Sequence, residues 1–177
     1  YRKVSESRHV LSEEEARKIA KIIGLSAIKY GDLSNQASKD YIFDIDRFTS
    51  FEGDTGPYIL YTIVRIKSIL AKYQEQGKSL ENLCLEEAQG ASEKDLMRQL
   101  CSFNAMMDSA CEETAPHKIC AYIYDLANAF NKFYHETKIL AEEDQKKQAG
   151  WIALLKLTKE VLETCIDVLG FSAPDRM

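Results

Sequence analysis

The chain has 177 residues, of which 45% are hydrophobic, 29% are charged and 10% are aromatic. This composition is typical of a globular protein and excludes an intrinsically disordered chain. The sequence has no secretory signal peptide and no apolar run close to the about 18 residues that a membrane span needs, so we expect a cytoplasmic protein without a membrane partner. Because it begins at Tyr1 rather than Met, we also expect a fragment of a longer chain.

Acidic residues are concentrated in one part of the sequence. The net charge is −5, and residues 78–115 alone carry three Lys or Arg against eight Asp or Glu. The rest of the chain is therefore neutral. Such a chain cannot attract nucleic acid through a bulk positive field, but basic residues that share one face can still bind it, with stacking and base-edge contacts contributing more of the affinity.

The five cysteines are odd in number and lack a Cys-x-x-Cys pair, which is typical of a reducing compartment with thiols that act as small apolar residues. Cys111, His117 and Cys120 could be drawn as a zinc site. A fourth ligand at a recognisable spacing is absent from the sequence, so we predict no metal site.

The first sixty residues predict two short helices, a linker and a strand. Ser12 with Glu15 forms a capping box that opens a helix ending at Gly24, and a second helix, capped by Ser26, follows over 25–33. The polar residues 34–38 are the best candidate for a domain boundary, which divides the chain into a junction region, 1–38, and a main domain, 39–177. Residues 41–46 alternate between apolar and polar types, as in a short half-buried strand.

A turn and a long amphipathic helix come next. Thr55 can cap this helix and Pro57 suits its first turn. One face of it carries a buried apolar stripe, made of Ile59, Ile63, Ile66, Leu70 and Tyr73. A second stripe contains Tyr58, Tyr61 and Arg65, and this set can bind unstacked bases and phosphate. The alternative is that the tyrosines lie at the edge of the core and Arg65 pairs with a carboxylate.

Two other hypotheses for the turn fit less well. The triplet Asp54-Thr55-Gly56 occurs at aspartic protease sites, but that chemistry needs a second carboxylate on a β scaffold. The acidic residues between Asp44 and Asp54 miss the spacing and the turn glycine of an EF-hand, so a solvated loop is the better interpretation.

The remaining pattern is helical. It predicts a short helix within 78–92 ended by Gly90, and then a helix capped by Ser92 that places Leu96, Leu100, Phe103 and Met107 in the core. A further helix begins at Pro116, and the last one runs from about Glu142 to Gly170. The expected fold is an all-α bundle of four or five substantial helices. The three histidines have no nucleophile or carboxylate partner at a readable spacing, so we predict a binding module without a cofactor of its own.

Several segments resemble arginyl-tRNA synthetases, where the catalytic core meets the anticodon-binding domain. They are SAIKYGDLS, KDYIFDIDRFTSFEGDTGPYILYTIVRIKSIL, YIYDLANAFNKFY and the terminal LLKLTKEVLETCIDVLGFSAPDRM. The resemblance implies the all-α anticodon-binding domain of class I aminoacyl-tRNA synthetases. It also implies a parent enzyme that attaches arginine to tRNA-Arg with ATP and Mg, through catalytic signatures that this chain lacks.

The resemblance further implies which residues bind tRNA. The family's Tyr-x-x-Tyr pair and following Arg correspond to Tyr58, Tyr61 and Arg65, and its anticodon-loop tyrosine and terminal methionine correspond to Tyr134 and Met177. Its mobile Ω-type loop corresponds to 51–56, from which we select Phe51, Gly53 and Asp54. We add Lys67 and Lys138 as phosphate anchors, beside Lys39. Residues 78–115 match the family poorly, and Leu60 replaces a frequent Gln.

The expected partner is therefore the anticodon arm of tRNA-Arg, with no DNA partner and a monomeric chain. The competing hypothesis is a helical protein–protein interaction module in which the exposed tyrosines form the interface. Salt dependence separates the two, because binding to a phosphate backbone weakens steeply as salt rises.

Overall fold

The computed structural model describes residues 12–177, and every regular element in this range is helical. Seven α-helices and one 3-10 helix follow one another along the chain. They are α1 Glu13–Leu33, α2 Ile45–Phe48, α3 Gly56–Glu75, α4 Ala91–Cys101, α5 Phe103–Glu112, α6 Pro116–Glu136, the 3-10 helix Ile139–Ala141, and α7 Gln145–Val168. The predicted all-α bundle is confirmed, with α1, α3, α6 and α7 as its long members.

Helix α3 lies at the centre of the bundle. It packs against α1, α6 and α7, while α6 also holds α4 and α5. The predicted apolar stripe of α3 is confirmed, since Ile59, Ile63 and Ile66 are fully buried and Leu70 and Tyr73 are 5% exposed. Because α3 is fixed on three sides by packed side chains, its remaining face can present functional groups from a rigid scaffold.

The prediction of two helices over 12–33 is wrong in one respect. The Ser12–Glu15 capping box is present, but α1 runs without interruption from Glu13 to Leu33. Gly24 is helical, and Ser26 is buried and donates to the Ile23 carbonyl oxygen at 2.8 Å instead of capping a new helix. The packing of α1 on α3 and α6 outweighs the cost of about 1 kcal/mol that one glycine brings to a helix interior.

The strand predicted over 41–46 is also wrong. Residues 40–44 have no regular structure, and no neighbouring strand exists among residues 12–177 to accept their backbone hydrogen bonds. Asp44 instead caps the short helix α2 by accepting from the Arg47 N–H at 3.1 Å. The apolar members of this segment face outward, with Ile42 at 88% and Ile45 at 66% exposure, while the buried Phe48 ring lies against Gly31.

The acidic segment after α3 is irregular rather than helical. Residues 78–90 contain no helix, and α4 begins at Ala91 with Gly90 at its N-cap, so the helix predicted within 78–92 and the Ser92 cap are both wrong. The cap comes from Glu93, whose buried carboxylate accepts from the Gln89 N–H and also from Trp151 Nε1 of α7. Trp151, which lies 58 positions away, thus helps to hold the carboxylate that caps α4.

The second half of the chain follows the predicted pattern more closely. The helix predicted to carry Leu96 through Met107 is divided at Ser102 into α4 and α5. Helix α6 begins at Pro116 as predicted. Helix α7 begins three residues after the predicted Glu142, because Asp144 caps it by accepting from the Lys146 and Lys147 N–H groups.

The cysteines divide into two classes, so the prediction that the thiols act as small apolar residues fits only the buried ones. Cys120 and Cys165 are buried, whereas Cys84, Cys101 and Cys111 are exposed. Burial raises the pKa of Cys120 and of Cys165 to about 12 in each case. Since the thiolate is the reactive form, both buried thiols are protected by their pKa as well as by access.

We therefore expect three of the five thiols to react quickly with a thiol-specific reagent at pH 8 in the native protein. The remaining two should react only as the protein unfolds. A colorimetric thiol titration with and without denaturant checks this, and a Cys165→Ala variant should lose one slow thiol and no fast one. Four or five fast thiols in the native protein would contradict the burial described here.

Two features of residues 12–177 concern the predicted absence of a membrane partner and of a metal. None of the helices within 12–177 combines the length and hydropathy that crossing a bilayer requires. In the same range, no three His, Cys, Asp or Glu side chains come together as metal ligands.

Candidate nucleic-acid interface

The loop before α3 fixes where that helix begins. Thr55 is buried at the N-cap, accepts from the Tyr58 N–H at 3.2 Å and donates to the Ser50 carbonyl oxygen at 2.6 Å. The predicted cap and the proline in the first turn are confirmed. Gly53 supports the turn with φ of +81°, a backbone conformation that favours glycine. Phe51 is partly buried and packs against the core.

Asp54 is exposed, as expected for a solvated loop, and it is also hydrogen-bonded to a core residue. The buried Tyr30 hydroxyl lies 2.5 Å from Asp54 Oδ1 and 2.9 Å from the Cys120 carbonyl oxygen. Burial, with the Asp54 carboxylate adding to it, raises the pKa of Tyr30. Asp54 thus joins the loop to α1 and α6, and it stands at the opposite end of α3 from the groove described below.

Tyr58 joins α3 to α6. Its hydroxyl donates to Asn128 Oδ1 at 2.7 Å and accepts from Asn131 Nδ2 at 2.9 Å. Its ring meets Tyr124 edge-on at 5.8 Å. Burial raises the pKa of the Tyr58 phenol. With its hydroxyl occupied and its ring half-buried, Tyr58 supports the neighbouring residues of the stripe.

Arg65 is the centre of an aromatic cluster between α3 and α6, which we call the tyrosine cluster: Tyr61 and Arg65 of α3, and Tyr134 of α6. Arg65 Nη1 donates to Asn131 Oδ1 at 2.6 Å and Nη2 donates to the Tyr61 hydroxyl at 3.0 Å. Its Cζ lies 4.7 Å from the Tyr61 ring centroid and 5.2 Å from that of Tyr134. The alternative in which Arg65 pairs with a carboxylate is wrong, because its partners are an amide and a phenol.

The two tyrosines of this cluster keep much of their surface in solvent. Tyr61 is 41% exposed and Tyr134 is 36% exposed. Tyr134 also stacks on the buried Phe130, with ring centroids 6.1 Å apart and an interplanar angle of 26°. Exposed rings held in place by a guanidinium and a buried ring are suited to stacking an incoming planar group.

A groove of about 560 Å³ begins at the tyrosine cluster and continues toward the C-terminal halves of α3 and α6. Lys138, predicted from sequence, lines the groove together with the whole cluster. Its other members are Val64, Ser68, Ile69, Lys72, His135, Thr137, Ile139, Leu140 and Ala141. Among residues 12–177, the lining contains no Asp or Glu, in a chain with a net charge of −5.

Lys67 and Met177 lie outside this lining. Lys67 contacts the C-terminal tail, and Met177 is the last residue of that tail. Lys67 Nζ is 3.3 Å from the Pro174 carbonyl oxygen, from Asp175 Oδ1 and from Glu163 Oε1. Met177 is partly buried against the core, and the preceding Arg176 pairs with Glu15 of α1. In the structure, Lys67 therefore stabilises the position of the tail. Its contact with phosphate remains a prediction.

Sequence reasoning missed Asn131, Ser68 and Lys72. Asn131 lies on α6 away from the centre of its apolar stripe, and it contacts Arg65, Tyr58 and Thr62 of α3. Ser68 and Lys72 follow Arg65 at three and seven residues on the same helical face, and this spacing was the available signal.

Comparison with known proteins identifies the family of this chain. Residues 59–177 match the family described as the DALR anticodon binding domain. The chain belongs to the DALR anticodon-binding domain family. Residues 2–45 match a second family, described as the catalytic domain of class I tRNA synthetases (R). The DALR match includes α3 beyond its first turn and everything that follows it.

Relatives of this DALR domain chain are arginine–tRNA ligases. It is 66% identical over 94% of its length to that of Agathobacter rectalis, and 49% identical over its whole length to that of Alkaliphilus oremlandii. Among solved structures it is similar to the arginyl-tRNA synthetase of Thermus thermophilus, with a TM-score of 0.82 and 29% identity over 98% of the chain and 29% of that structure. The chain spans 28% and 30% of the two relatives.

Proposed function

We propose that the groove at the tyrosine cluster binds unstacked bases of the anticodon arm of tRNA-Arg. One observation carries this proposal: two exposed tyrosines, Arg65, Lys72 and Lys138 line one groove without a carboxylate, in an acidic chain. Single-stranded loops of RNA are recognised by stacking on aromatic and guanidinium planes, with cations beside them for the backbone.

The cluster provides the two functions that such recognition needs. The rings of Tyr61 and Tyr134 offer stacking surfaces, each worth about 1–3 kcal/mol per base. Arg65 is already held by Asn131 and Tyr61, so little side-chain entropy is lost when a base arrives. Base identity then requires hydrogen bonds to the Watson–Crick edge, for which backbone groups and the C-terminal tail with Met177 are our candidates.

We extend the proposal to the whole enzyme, an arginine–tRNA ligase. Its ATP and Mg would be bound by the catalytic domain, to which residues 2–45 are similar. We keep the boundary after residue 38, and we propose a monomer that works in the cytoplasm. The exposed apolar residues of segment 41–45 would face this catalytic domain, because burying such a surface is favourable.

Titration of the chain with tRNA-Arg transcripts tests the proposal directly. We expect binding that weakens as salt rises from 50 to 200 mM, and that weakens further when the central anticodon base is changed. A transcript with an unrelated base change in the acceptor stem is the control, and it should bind like the native transcript. Binding that is insensitive to salt and to the anticodon would instead favour the protein–protein interaction module.

A further inference from the structure

The groove continues past the tyrosine cluster into a second half, whose lysines the proposed function assigns only in general terms to the RNA backbone. This second half lies between Ser68, Ile69 and Lys72 of α3 and residues 137–141 after α6. Seven residues separate Lys72 from Arg65, which is about 10 Å along the helix axis at a 1.5 Å rise per residue. A base that stacks on Tyr61 cannot span this distance, so a different part of the ligand must occupy the second half.

The charges of this half come from Lys72 and Lys138. Several lysines elsewhere on the bundle are neutralised by carboxylates, as in the pairs Lys118–Glu113, Lys132–Asp95, Lys147–Glu142 and Lys159–Glu163. Within residues 12–177, neither Lys72 nor Lys138 has a carboxylate within ion-pair distance. Both are exposed, and they come from opposite walls of the groove.

The other residues that line this half of the groove can also contact a phosphate or a ribose. Ser68 and Thr137 add two hydroxyl groups, and His135, packed edge-on against Tyr134 at 5.7 Å, adds an imidazole. Ile69 and Ile139 close the floor between them and are buried. Two unpaired ammonium groups with hydroxyl donors above an apolar floor can bind a phosphate and its ribose, whereas they offer no acceptor set for a cation.

We propose that Lys72 and Lys138 form a phosphate subsite for the nucleotide next to the base held by the tyrosine cluster. The proposal rests on the proposed function and adds a backbone contact of defined position to it. The subsite positions the strand and reads no sequence, since phosphate contacts carry no base information. One end of the groove would thus bind a base by stacking, and the other end would bind a phosphate by charge.

The test uses the double variant Lys72→Gln/Lys138→Gln and a matched control, Lys94→Gln/Lys156→Gln. The control removes two exposed lysines that lie outside the groove, so both variants change the net charge equally. Binding to tRNA-Arg is measured across salt concentrations. We expect the groove variant to bind more weakly and to lose about 0.7 from the slope of log affinity against log salt for each phosphate contact removed. Its preference for the native anticodon should be unchanged.

A chemically modified ligand makes the test specific for one phosphate. Anticodon-loop RNAs are prepared with a single neutral methylphosphonate linkage at successive positions. One position should weaken binding to the original protein and to the control variant, and have no effect on the groove variant. If the control variant loses as much salt dependence, or if every linkage weakens both proteins equally, the subsite is overturned while anticodon binding stands. Loss of anticodon dependence in the original protein would overturn the proposed function itself.

Discussion

Replacing Gly56 by alanine is expected to destabilise the protein by about 3 kcal/mol, at the upper end of the range for inserting a methyl group into a packed site. An added Cβ would lie 2.3 Å from the Ser26 carbonyl oxygen and 2.6 Å from the Ser26 carbonyl carbon. Both atoms belong to the backbone of α1, so no side-chain rotation can relieve the contact. The helices α1 and α3 would have to separate at the point where α3 begins.

Gly24 provides a matched control for this prediction. It also lies in a helix, but an added Cβ there meets no atom within 4 Å. Gly24→Ala should therefore stabilise the protein by about 0.4–1 kcal/mol, through helix propensity and the less flexible unfolded chain. Urea unfolding followed by circular dichroism gives both free energies. Equal effects of the two substitutions would show that α1 and α3 are not in close contact at Gly56.

Replacing Arg65 by glutamine is expected to weaken tRNA binding about 10- to 100-fold. The guanidinium makes two hydrogen bonds within the site and lies against both exposed rings. Hydrogen bonds of charged groups contribute about 1.5–3 kcal/mol, and each 1.4 kcal/mol is a factor of ten in affinity. Glutamine keeps a polar head and cannot contact both rings at once, so the substitution removes the connection between Tyr61 and Tyr134.

The control for Arg65 is Arg98→Gln, because Arg98 is exposed on α4 and pairs only with the neighbouring Asp95 at 2.9 Å. This variant should bind tRNA like the original protein. A double-mutant cycle of Arg65→Gln with Tyr134→Ala should show a coupling of about 0.5–3 kcal/mol, as expected for side chains in contact. Additive losses in the cycle would mean that the two residues act on tRNA separately, and an Arg65 variant with full affinity would remove the cluster from the binding site.

The position of the C-terminal tail depends on tertiary contacts. Four residues along it are held from other helices, by Lys29 on the Gly170 carbonyl oxygen, Lys67 on Pro174 and Asp175, and Glu15 on Arg176. The resemblance to synthetases predicts that Met177 belongs to the binding site, and these contacts restrict where that residue can lie. Lys67 is therefore best understood as a residue that positions the tail.

Local signals in the sequence correctly predicted helix starts and buried faces where neighbouring residues decide the conformation. The cap at Thr55 is a hydrogen bond within one turn, and Pro57 and Pro116 suit the first turns of α3 and α6 because the N–H that proline lacks has no partner there. The stripe from Ile59 to Tyr73 follows from the period of 3.6 residues alone. The stripe of Tyr58, Tyr61 and Arg65 was likewise visible as spacing, and so was its neighbour Lys72.

Only the tertiary structure decided the features that join distant parts of the chain. Residues 41–46 have the alternation of a strand but no partner strand within residues 12–177, and Asp44 caps a helix instead. Trp151 of α7 holds the Glu93 carboxylate that caps α4, and Asn131 of α6 holds Arg65. Lys67 and Lys138 look alike in sequence, yet Lys67 meets two carboxylates and Lys138 lines the groove. Spacing reveals which residues share a helical face, whereas packing between helices decides what that face meets.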